Sequence, residues 1–192
     1  MSSQEASKET ISGLENIVVN VTGHDDSGKE IFVSSTPAEW KPYTDGKLGM
    51  SILYTTQFNA NLNGDEDIEK HKTRMATTLP GLVNPGGTLL RMVDFAPGDP
   101  GLMHRTKSLD YGIVVKGELE AIMESGEKRI MRQGDVCVQR GTSHAWRNLS
   151  ETEWARMVFV LQDVQPIVLG GEKLKEDFRG KTVDIPPSLN DE

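Results

Sequence analysis

Two histidines and an aspartate in the second half of the chain, His104, Asp110 and His144, carry the strongest chemical signal. Imidazole titrates near neutral pH. A neighbouring carboxylate fixes its tautomer and raises its basicity, which equips the pair for general acid–base catalysis. The same two imidazoles and one carboxylate can also form a facial triad with open positions, suited to Fe(II), Mn, Ni or Zn. On sequence both stay open: one divalent metal held by His104, Asp110 and His144, or a metal-free pocket. Residues 104, 106 and 110 are separated by even steps, so on one regular strand they share a face, with His144 arriving from a strand across from them. The Thr106 hydroxyl can hold a water or a substrate oxygen. Trp146, two residues beyond His144, can share its face and stack on an aromatic ligand. Arg91, Arg105, Arg140 and Arg147 are candidate anchors for an anionic substrate, because a guanidinium pairs bidentately with carboxylate or enolate oxygens. Arg91 lies inside the apolar run TLLRMVDF, where the competing reading is an edge or interface salt bridge. Arg105 is expected to point outward, toward Asp99 or a partner subunit. Cys137 alternates with Val136 and Val138 and reads as packing. His24 and His71 fall in turn or loop stretches and read as exposed.

These residues sit among short apolar-alternating runs separated by turn residues. Nineteen glycines and nine prolines punctuate the chain, a pattern of an all-β domain rather than a helical one. ENIVVNVTG and EIFVSS flank the turn GHDDSGK as a hairpin. LGMSILYTT, TLLRMVDF, the two halves of YGIVVKGELEAIME around Gly117, the two halves of EKRIMRQGDVCVQRG around Gln133–Gly134, and WARMVFVLQ read as further strands. Strands at this spacing predict a small antiparallel barrel or jelly roll. The expected organisation is a flexible N-terminus (1–15), a hairpin and strand extension (16–86), the barrel (87–165) and a C-terminal segment (166–192). The charged stretch NANLNGDEDIEKHKTR reads as a loop or short helix. EKLKEDFRG is predicted as a short C-terminal helix, followed by a loose tail.

The residues from Gly98 to Asn148 resemble the cupin family. Gly98, His104, Thr106, Asp110 and Gly117 fall on the spacing of its first motif, and Gly141, His144 and Asn148 on that of its second. The resemblance implies a single-domain cupin with an added N-terminal hairpin, and a homodimer paired through exchanged N-terminal strands. Family members typically hold a divalent metal through three histidines and a glutamate. Here Thr106 stands at the second histidine position, Asp110 at the glutamate position, and Gln139 where the family usually has proline; the resemblance places Gln139 beside the pocket mouth, to bind substrate or simply to bond backbone.

The net charge of −8 and the lack of a basic cluster argue against nucleic acid or an anionic membrane as partner. No apolar run is long enough for a membrane-spanning helix. A single cysteine excludes an intrachain disulfide, and MSSQEASKET has no signal-like apolar stretch, so a reducing, cytoplasmic setting is expected. The expected function is a small-molecule enzyme acting on an organic acid, aromatic or polyketide-like metabolite. Its chemistry is expected to be non-redox: dehydration, decarboxylation, cyclisation or isomerisation. His104 or His144 would move the proton, Asp110 would orient it, and an arginine would hold the developing oxyanion. The alternatives are a metal-dependent dioxygenase and a ligand-binding protein without catalysis.

Overall fold

The computed structural model describes residues 10–181 and 184–188. In chain order the strands are β1 (Val18–His24), β2 (Glu30–Pro37), β3 (Lys41–Tyr43), β4 (Leu48–Gln57), β5 (Gly87–Phe95), β6 (His104–Arg105), β7 (Ser108–Lys116), β8 (Glu118–Met123), β9 (Lys128–Arg132), β10 (Val136–Arg140), β11 (Ser143–Asn148), β12 (Ala155–Asp163), β13 (Val168–Leu169) and β14 (Glu172–Lys173). One helix, α1 (Glu66–Thr77), lies between β4 and β5. A six-stranded antiparallel sheet runs β10-β7-β12-β5-β4-β3, and a four-stranded sheet runs β6-β11-β8-β9. Leu119, Ala121 and Trp146 of the smaller sheet pack in one core with Val93, Phe95, Val114, Met157 and Phe159 of the larger. The fold is the all-β jelly roll expected of the spacing. The strand extension before residue 87 is continuous with it, since β4 pairs with β5 from Leu48↔Phe95 to Gln57↔Gly87.

Period-two alternation aims the chemistry inward. On β5, Leu89, Arg91, Val93 and Phe95 form one buried row. On β7, Asp110 and Val114 are buried while Tyr111, on the opposite face, is exposed. Gly117 closes the turn between β7 and β8 at φ 83°, which L side chains rarely adopt; a Cβ there would also lie 2.9 Å from that of Ala155.

The outer face of the larger sheet is covered near β5 by residues expected to be flexible. Asp94, fully buried, is held bidentately by Arg156 at 2.6 and 2.8 Å. The Ser12 hydroxyl also donates to Asp94, the Glu15 carbonyl accepts from Arg156 at 2.7 Å, and Trp40 lies under the guanidinium at 4.7 Å. Residues 10–15 are thus part of the fold, because a buried ion pair needs its remaining donors satisfied. The rest of the predicted flexible N-terminus, 1–9, lies outside the described residues.

The helix is not where EKLKEDFRG predicted it. That segment supplies β14, which pairs with β13 before it, an antiparallel bridge from Asp177 to Arg105, and turns; no helix forms there among the described residues. Nine residues are too few to nucleate a helix against competing tertiary contacts. A helix does form at Glu66–Thr77, in the charged stretch read as a loop or short helix, helped by Glu66, Asp67 and Glu69 in its first turn and by a Glu66–Lys70 pair at 2.5 Å. It brings His71 against β4, where the imidazole bonds Thr55 and lies 4.5 Å from the Tyr54 ring. His71 is therefore partly buried rather than exposed, and burial lowers its pKa.

Candidate active site

The inner faces of the two sheets converge on one pocket. Its polar lining is Arg91, His104, Thr106, Asp110 and His144; its walls include Met50, Phe95, Leu102, Trp146, Phe159 and Leu161. The even spacing of 104, 106 and 110 reaches a common pocket by a route other than one strand. The chain changes sheets between β6 and β7, so His104 lies in the four-stranded sheet and Asp110 in the six-stranded one, with buried Thr106 at the corner. His144 is the direct cross-strand neighbour of His104. Their ring centroids are 4.5 Å apart.

Hydrogen bonds set the tautomers. Nδ1 of His104 donates to the Leu102 carbonyl at 2.9 Å, and Nδ1 of His144 donates to the Thr142 carbonyl at 2.8 Å. Each ring therefore carries its lone pair on Nε2. The lone pair of His144 is already engaged. Trp146 Nε1 donates to Gln139 Oε1 at 3.1 Å, which turns the Gln139 amide nitrogen toward His144 Nε2 at 2.6 Å. Burial, then the neighbouring His104, pushes the His144 pKa down to about 3. A proton on its Nε2 would also set two donors against each other. His104 is held low too, by burial first, with the Arg91 charge adding to the effect. Its Nε2 lone pair is the uncommitted one.

Asp110 sits on β7 opposite Gln139 and Leu161. Its Oδ2 accepts from the Thr106 hydroxyl at 3.1 Å, while its buried Oδ1 has no hydrogen-bond partner among the described residues. Burial pushes its pKa up to about 6, against the opposing pull of the Ser108 and Thr106 hydroxyls and the Arg91 charge. A carboxyl group that gains and loses its proton near neutrality is suited to act as a general acid.

Arg91 is buried at 5% exposure in the inward row of β5. Among the described residues the edge salt bridge weighed from sequence does not form, and the side chain lines the pocket instead. Its Nη2 donates to the Gly81 carbonyl at 2.5 Å. Burial first drives its pKa down to about 10, while the charges of Tyr43, Asp110 and Glu176 raise it. The other arginines are elsewhere: Arg147 pairs with Glu120 at 3.0 Å, Arg140 is exposed, and Arg105 bonds the Lys175 carbonyl at 2.9 Å. Arg105 thus holds the C-terminal segment rather than Asp99.

That C-terminal segment is a wall of the pocket that sequence reasoning missed. The ring of Phe178 lies parallel to His104 at 6.0 Å, and Ile185 is buried in the lining. The Ser188 hydroxyl accepts from the backbone amides of Leu82 and Val83, both at 3.1 Å, and donates to Glu176 at 2.5 Å. Gly81 permits this closeness: a Cβ there would lie 2.3 Å from the Pro186 carbonyl oxygen. The tail read as loose is therefore packed through Ser188; residues 189–192 lie outside the described residues. The only sequence signal was Phe178 and Ile185 within a polar stretch. Gln139, expected in the substrate pocket, is absent from its lining; it holds His144 and Trp146 instead.

Comparison with known proteins agrees with this architecture. A family profile described as "Cupin domain" matches residues 91–161. The chain is 44% identical over 156 residues to the phomopsin biosynthesis cluster protein D of Diaporthe leptostromiformis, covering 80% of this chain and 82% of that protein. It is 39% identical over 161 residues to the oryzines biosynthesis cluster protein J of Aspergillus oryzae, covering 82% and 89%. It is 38% identical over 183 residues to the cupin-domain-containing oxidoreductase fogC of Aspergillus ruber, covering 90% and 88%. The chain belongs to the cupin family.

The divalent metal implied by that family does not fit the donors in this arrangement. The Nε2 of His144 is engaged by Gln139, and Thr106, at the second histidine position, bonds Asp110. His104 Nε2 and Asp110 Oδ1 remain, and the Arg91 charge acts on both residues. Among the described residues no three His, Cys, Asp or Glu are grouped to hold an ion. His104, Asp110 and His144 share a pocket without forming a triad of free donors.

Proposed function

We propose that this chain is an enzyme of a biosynthetic pathway that moves a proton on a small, largely apolar metabolite. The reaction is of the lyase, dehydratase, decarboxylase, cyclase or isomerase kind. The observation that carries the proposal is the pairing, in one mostly apolar pocket, of an imidazole with a free lone pair and a carboxyl group whose pKa is near 6. His104 takes the proton at Nε2, and Asp110 returns one from its unpartnered oxygen. His144, neutral and fixed by Gln139 and Thr142, shapes the pocket beside His104. Relatives named for biosynthesis clusters support the setting.

The test is hydrogen exchange in D2O with small β-hydroxycarbonyl compounds carrying apolar tails, read by mass spectrometry as incorporation above the enzyme-free background. Deuterium is expected at the carbon next to the carbonyl with the wild type, and loss of that incorporation with His104→Gln and with Asp110→Asn. Unchanged incorporation in both variants would overturn the proposal. Relatives named cupin-domain oxidoreductases favour a second reading, redox chemistry on the same pocket. Turnover that requires dioxygen or a nicotinamide, with no exchange in its absence, would favour that second reading.

A further inference from the structure

The roles proposed for His104 and Asp110 leave one buried charge in the pocket without a task. The Arg91 guanidinium stands in the apolar row of Leu89, Val93 and Phe95. Among the described residues, one of its nitrogens meets a protein oxygen, the Gly81 carbonyl; Nη1 has the Met50 sulfur at 3.7 Å, and Nε has no hydrogen-bond partner. No carboxylate ion-pairs with it among the described residues, and the acidic groups that act on it, Asp110, Glu176 and Tyr43, do so without hydrogen bonding. A buried guanidinium ordinarily recruits a carboxylate from its own chain, as Arg156 recruits Asp94 on the other face of the same sheet. Arg91 has an incomplete donor set and lines a pocket that also holds His104 and Asp110. Its missing partner is a group that enters the pocket.

We infer that Arg91 is an anion-binding subsite, and that the ligand of this pocket is a singly charged carboxylate carried on an apolar body. One cation answers one carboxylate, and the guanidinium fork matches two oxygens in a plane. A second negative charge would meet Asp110 rather than another cation. The apolar remainder lies against Phe95, Phe159 and Leu161, whose side chains hold no polar group to orient it. The carboxylate thus fixes the register of the ligand, and the carbon presented to His104 follows from its distance along the apolar chain. This deepens the acid–base function proposed above, and rests on it for treating the pocket as the place of reaction.

The test is isothermal titration of the full chain with hexanoate and with hexanamide, equal in shape and different in charge. Hexanoate is expected to bind at least about tenfold more tightly, the scale of a charge-assisted pair in a dry site. Arg91→Met should abolish that preference, and Arg91→Lys should keep part of it, since a point charge lacks the fork. Equal affinity for the two probes in wild type overturns the inference, as does hexanoate binding unchanged by Arg91→Met. Were Arg91→Met to fail to fold, the wild-type comparison of the two probes still decides. His104→Gln separates this inference from the one it rests on. Hexanoate preference retained with exchange lost supports both. Preference retained with exchange also retained supports the anion subsite and overturns proton transfer by His104.

Discussion

Replacing Asp110 by asparagine should make the protein more stable at alkaline pH while removing its activity. The Asp110 pKa stands near 6 in the folded chain against 3.8 for the ordinary side chain. At about 1.4 kcal/mol per pH unit, keeping that carboxylate ionised inside the fold costs about 3 kcal/mol. The sign follows from proton affinity. The folded state binds this proton more tightly than the unfolded one, so the stability it contributes is fully present below pH 3.8. That stability is lost as pH rises through 6. Asparagine imitates the neutral acid and still accepts from Thr106. Above pH 7 the variant should therefore melt about 6–12 °C higher than wild type for a chain of this size, and near pH 4 the two should melt together. Differential scanning calorimetry across that range reads both limbs. His144 also destabilises the fold as pH falls below 6.5, but it is present in both proteins and cancels in the difference. A gain of the same size at pH 4 and pH 8, or a loss at pH 8, would refute the placement of a strained carboxylate in the pocket.

Other perturbations test the supporting groups. Gln139→Leu removes the donor on His144 Nε2 and the acceptor of Trp146, so the His144 pKa should rise by a unit or more in an NMR titration. Gly81→Ala drives a Cβ into the Pro186 carbonyl, so backbone amides of 174–181 should exchange faster by hydrogen–deuterium mass spectrometry while those of β7 and β12 stay protected. After incubation with Fe(II), Mn, Ni or Zn and desalting, inductively coupled plasma mass spectrometry should find well under one ion per chain. A full equivalent, lost in His104→Ala/His144→Ala, would show that Gln139 gives way to a metal.

What was legible in the sequence was local. Strand alternation and turn glycines foretold β4, β5, β7, β8 and β12 because period two and positive φ are properties of a few adjacent residues. His104, Asp110 and His144 were singled out by side-chain type and spacing, and all three line the pocket. Sheet membership was not legible, because the crossing between Arg105 and Ser108 leaves the even spacing of 104, 106 and 110 unchanged. Nor was the role of Gln139, which depends on Trp146 arriving from another strand to turn its amide. EKLKEDFRG misled because helix-forming residues on a short segment are overridden once Phe178 has a ring to lie against and Asp177 a strand to bridge.

The order of strands in the larger sheet also sets a timetable. β12 lies between β5 and β7, so until Ala155–Asp163 is inserted, both strands present an open edge to water and to other chains. Arg91 on β5 and Asp110 on β7 belong to that unfinished edge, and each is paired through β12 to a residue of the same strand, Phe159 and Leu161. A growing chain therefore holds Arg91 and Asp110 uncovered until β12 has been made and buries them together by one long-range step. Such a step is slow and exposed to aggregation. Recombinant yield should consequently respond to translation speed and temperature more than the finished protein's melting point would suggest.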